Sequence, residues 1–95
     1  MIKHVVVFKL KEDKKDELNN FVQMLRDLPS KIGIVKSYEV GIDSLKSPYS
    51  FDVALISTYD SMDDLFKYKE HEAHDEFVDY MRTVCEPIKA VDFEL

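Results

Sequence analysis

The chain has 95 residues, 45% of them hydrophobic, and 13 Lys and Arg stand against 19 Asp and Glu for a net charge of −6. This is the composition of one globular domain, and its acidic, mixed-sign balance argues against a nucleic-acid partner or an anionic membrane surface, both of which reward clustered cations. No apolar run of membrane-spanning length and no signal-peptide succession occurs, and the single cysteine, Cys85, excludes an internal disulfide and a multi-cysteine zinc site, so a cytoplasmic protein is expected.

Residues 2 to 10, Ile-Lys-His-Val-Val-Val-Phe-Lys-Leu, are β-branched and aromatic and predict a first strand. Alternation puts Ile2, His4, Val6, Phe8 and Leu10 on one face and Lys3, Val5, Val7 and Lys9 on the other, so both faces carry apolar residues. The charged run Lys11 to Glu17 is expected to open a helix with Asp13 as its cap. Leu18, Phe21, Val22, Leu25 and Leu28 then recur at helical spacing, and Pro29 is expected to end the pattern shortly afterwards. A second strand is expected within Lys31 to Ile42 and a third over Phe51 to Thr58, joined by a Ser, Pro and Asp loop.

Ser61, with Asp64 three residues on, predicts a cap that opens a short helix. The chain then passes through Tyr68 to His74 into a longer helical pattern ending near Pro87, with Cys85 as a buried structural thiol on its apolar stripe. Ile88 to Leu95 alternates and predicts a fourth strand.

The order β-α-β-β-α-β predicts an α+β, ferredoxin-like domain: a four-stranded antiparallel sheet with its helices on one face. The other face, apolar in strands one to three, would leave a patch larger than the ~300–600 Å² that monomers tolerate. A second copy packed sheet to sheet is the expected remedy. It makes a homodimer with a barrel-like interior, in which the twin closes the chamber that the imidazoles face.

The segment Tyr68-Lys69-Glu70-His71-Glu72-Ala73-His74 carries the chemistry. His74, Phe77, Val78 and Met81 fall at i, i+3, i+4 and i+7, so a titratable ring points at the core. A neutral imidazole with a pKa near 6.5 can remove a proton next to a carbonyl, which suits His74, and His4 projects toward the same cavity. Tyr68 could donate a hydrogen bond to the enolate oxygen, and His71 could orient either partner or sit at the cavity rim. Ile2, Val6, Phe8, Tyr38, Phe51 and Phe77 are the expected apolar lining for a small hydrophobic carbonyl compound.

Other readings stand beside this one. Each imidazole could satisfy a backbone carbonyl and Tyr68 could be an amphipathic residue at a helix edge. His71-x-x-His74 with Glu70 or Glu72 could ligate a metal only if His4 supplied a third nitrogen, so no metal is expected. No basic cluster marks a haem site, no cofactor is expected, and reversible capture without turnover is a third possibility. There is no serine triad order, phosphate loop or cysteine nucleophile.

Lys3-His4-Val5-Val6-Val7-Phe8-Lys9, Glu39-Val40-Gly41, Phe51-Asp52-Val53-Ala54-Leu55 and Tyr68-x-x-His71-x-x-His74, in that order and spacing, resemble the stress-responsive A/B barrel domain family. The likeness spans nearly the whole chain, with one departure: Glu72 stands where the family commonly has a proline. The resemblance implies a dimeric α+β barrel. From a plant polyketide cyclase of the family it further implies cofactor-free aldol chemistry, with its catalytic His and Tyr at His74 and Tyr68 and its strand-one histidine at His4.

Overall fold

The computed structural model describes all residues, Met1–Leu95. Its strands are β1 (Ile2–Phe8), β2 (Ser37–Ile42), β3 (Val53–Tyr59) and β4 (Lys89–Glu94), and its helices α1 (Leu18–Lys31), α2 (Met62–Glu70) and α3 (Glu72–Val84). The strands form one antiparallel sheet in the order β2-β3-β1-β4, the ferredoxin-like arrangement expected. No helix is long and apolar enough to cross a membrane.

Register assigns the two faces. His4 lies opposite Ser57 and Asp92, Val6 opposite Leu55 and Ala90, and Phe8 opposite Val53, so these share the helix-covered side. There Phe21 of α1 packs between Phe8 and Phe77, with ring centroids 5.1 and 5.4 Å away, and Leu25, Leu55 and Leu65 complete a dry layer. The other face carries Val5, Val7, Ala54, Ile56, Val91 and Phe93, which no element of the chain covers, and Val91 and Phe93 are 56% and 42% exposed.

Several boundaries differ from the sequence reading. The charged run forms a separate 3₁₀ segment, Glu12–Glu17, preceded by Lys11 without a side-chain cap, so Asp13 does not cap a helix and α1 starts at Leu18. Pro29 lies inside α1 rather than ending it. Its missing N–H removes one bond in the last turn, while Leu28 and Ile32 are buried on either side of it and the Leu28 carbonyl still receives the Ile32 N–H at 3.0 Å.

Lys31 belongs to α1, and strand β2 occupies only Ser37–Ile42 of the stretch in which it was expected. Phe51 precedes β3, where the neighbouring Asp52 is held by the Leu10 N–H at 2.8 Å and Lys15 at 2.9 Å. The expected cap is found: the Ser61 hydroxyl accepts the Asp64 N–H at 3.2 Å. Cys85 is buried, which pushes its thiol up to about 11.

Candidate functional site

Four elements deliver the polar side chains to one place. β1 turns every even residue toward the helices, which buries His4 to 6% exposure, and β4 sets Asp92 directly across the ladder from it. The His4 Nδ1 and the Asp92 carboxylate are in hydrogen-bond contact. Tyr68 comes from the last turn of α2 and His74 from the first turn of α3.

What sets Tyr68 and His74 together is the break between those helices. His71 adopts an extended backbone, φ −66° and ψ 142°, and its Nδ1 accepts the Ala73 N–H at 3.0 Å. It is thus the N-cap of α3. This exposed ring is not among the residues that line the cavity, so it does not sit at the rim, one of its two expected places. The cap redirects the chain, so the Tyr68 and His74 rings meet edge to face, with centroids 4.9 Å apart.

His4, Tyr68 and His74 line a cavity of about 110 Å³ whose apolar wall includes Val6, Phe8, Phe77, Val78, Met81 and Ile88. Of the expected lining, Val6, Phe8 and Phe77 are in this wall and Ile2 is not. Tyr38 is not in the wall; its hydroxyl is 3.2 Å from that of Tyr68 and supports it from behind. Phe51 is elsewhere, in a hollow on the opposite side with Val7, Gly41 and Ala54, because it lies outside the β3 ladder that faces the helices.

The cavity also lies between the sheet and its own helices. The imidazoles thus face a cavity on the helix side of the sheet, lined within one protomer, and not the space under a twin's sheet where the sequence reading put their chamber. Asp92 and Ile88 were missed altogether. Asp92 had a usable signal: an acidic residue within the alternating pattern of the expected fourth strand.

Burial holds the His74 imidazole below its ordinary value of 6.5, against a smaller upward pull from Asp75, so the ring is neutral at pH 7. Burial and the neighbouring Tyr38 hydroxyl raise the Tyr68 phenol far above its ordinary range, which keeps it a hydrogen-bond donor. Tyr59, 0% exposed and 5.3 Å from Tyr68 between ring centroids, is raised by burial as well, and its hydroxyl is 3.1 Å from that of Ser57. A neutral base and a protonated donor on one apolar wall can move a proton at carbon next to a carbonyl. No three His, Cys, Asp or Glu side chains converge in a metal-binding group.

Among solved structures, a dimeric protein of unknown function and ferredoxin-like fold from Bacteroides fragilis is 31% identical, with a TM-score of 0.84, over 99% of this chain and 95% of that one. A dimeric ferredoxin-like protein of unknown function from Thermobifida fusca is 24% identical, with a TM-score of 0.87, over 99% and 90% of the two chains. A hydroxynitrile lyase from Passiflora edulis is 19% identical, with a TM-score of 0.82, over 97% and 90%, a likeness of fold. No curated protein sequence matches this chain. The model of the stress responsive A/B barrel domain matches residues 2–95, and the chain belongs to that family, as its sequence motifs implied.

Proposed function

We propose that this protein is a cytoplasmic homodimer that binds a small hydrophobic carbonyl compound in each protomer and exchanges a proton next to its carbonyl, without metal or organic cofactor. His74 is the base, and Tyr68 donates to the developing enolate oxygen. The His4 and Asp92 pair forms the polar end of the cavity. The observation that carries this reading is the edge-to-face contact of a neutral His74 and a protonated Tyr68 on one apolar wall. That a hydroxynitrile lyase shares the fold supports it as precedent for lyase chemistry on this scaffold.

The uncovered apolar face of the sheet and relatives described as dimeric support the dimer. Sheet-to-sheet packing would cover Val91 and Phe93 and leave both cavities on the outside of the pair.

A second reading, reversible capture without turnover, is favoured by one detail: the Tyr68 hydroxyl already has the Tyr38 hydroxyl as a partner at 3.2 Å. Incubation with small ketones in heavy water separates the two. Deuterium entering the carbon beside the carbonyl in the native protein, and no longer in His74→Ala, supports the acid-base reading. Ligand-induced shifts of the His74 resonances without exchange support capture. If neither exchange nor shifts occur across a series of aliphatic ketones, the carbonyl site is wrong.

A further inference from the structure

The cavity opens onto a wider groove of about 550 Å³, which shares Lys69, His74, Val78, Met81 and Ile88 with it. Its charged lining is Lys11, Lys69 and Arg82 against one carboxylate, Glu86. In a chain of net charge −6 this is a local reversal of sign. None of the three cations forms an ion pair. Lys11 Nζ donates to the Arg82 backbone carbonyl at 3.3 Å, which ties the residue before the 3₁₀ segment to the end of α3, and both residues line the groove. Their sequence positions are far apart, so the sequence reading found no basic cluster; the fold assembles one.

We infer that the groove is the seat of a carboxylate, and that the ligand is an oxo-acid whose carbonyl enters the apolar cavity while its carboxylate remains among Lys11, Lys69 and Arg82. The charge pattern suits this division. The inner cavity is mostly apolar around a neutral His74, with the Asp92 carboxylate at its far end hydrogen-bonded to His4, and the outer groove presents unpaired cations where a wet carboxylate keeps part of its hydration. Unpaired cations at a cleft mouth also raise the local concentration of an anion before it docks. This inference rests on the reading of the cavity as a carbonyl site and adds the class of compound.

The test titrates levulinate and, separately, its uncharged methyl ester into the full-length protein and follows the His74 resonances. Levulinate is expected to bind roughly tenfold more tightly at low salt, the sum of a few exposed charge pairs. Concentrated salt should erase the preference. The double variant Lys11→Gln, Arg82→Gln should lose most of the levulinate affinity and keep the ester affinity; both side chains lie in the outer groove, and a melting curve checks the fold. If the ester binds as tightly as the acid, or the variant weakens both equally, the carboxylate seat is overturned and the carbonyl cavity stands. If neither compound shifts His74, both are overturned.

Discussion

His4 and Asp92 are 88 positions apart in the chain and directly opposite each other across the β1–β4 ladder, where the imidazole and the carboxylate share a hydrogen bond. The His4 side chain is 8% exposed and that of Asp92 30%, so the pair closes the cavity's inner end while the carboxylate keeps some contact with water. A buried ring nitrogen needs such a partner.

Removing that partner gives the first prediction. Asp92→Ala leaves the His4 nitrogen unsatisfied and is expected to cost about 1–3 kcal/mol in urea unfolding, whereas Asp92→Asn retains a hydrogen bond and should cost less. Equal stability of all three proteins would show that the pair contributes nothing.

Tyr68→Phe is the second. The ring keeps its contacts with His74 and Tyr59, but the hydroxyl is gone and that of Tyr38 loses its partner. Stability should fall by about 0.5–1.5 kcal/mol, while deuterium exchange into a bound ketone should fall on the order of a hundredfold. Exchange at the native rate would remove Tyr68 from the chemistry.

The third concerns pH. In the unfolded chain His74 takes up a proton near its ordinary value of 6.5, whereas in the folded protein burial delays uptake to lower pH. Between those two points the unfolded state holds more protons, so acid favours unfolding. Stability should begin to drop as pH falls through 6.5 and stop dropping on this account below the folded value. His74→Gln should flatten that limb in chemical unfolding at a series of pH values, and an unaltered profile would mean that the ring titrates as it does in water.

The fourth is association. Val91 and Phe93 are 56% and 42% exposed on the uncovered face, and a charge placed there would have to be buried when a second sheet docks. Phe93→Glu is expected to convert a dimer into a monomer by sedimentation velocity, with the fold kept, since the position is exposed within one protomer. A native protein already monomeric at high dilution would leave the apolar face without its proposed cover.

The element order, the inward parity of β1, the Ser61 cap and the family itself were all legible in the sequence, because hydrophobic period and capping chemistry are local properties. The helix break at the His71 segment was only half legible: the motif pointed there, but the cap bond that takes His71 out of the cavity depends on backbone angles the sequence does not state. Local signals also misplaced Asp13 and Pro29. Side-chain type suggested a cap and a stop, but the 3₁₀ segment and the burial of Leu28 and Ile32 decided otherwise.

The sequence by itself determined the α+β class and the two apolar faces of the sheet, and singled out His4, Tyr68 and His74 as candidates, because each follows from spacing along the chain. Only the tertiary structure decided that Asp92 partners His4, that Phe51 lies across the sheet from the imidazoles, that the cavity is lined from one protomer on the helix side of the sheet, and that Lys11 and Arg82 share its outer groove. Those facts join residues distant in the chain, and strand pairing and helix docking, which set such distances, are properties of the packed whole.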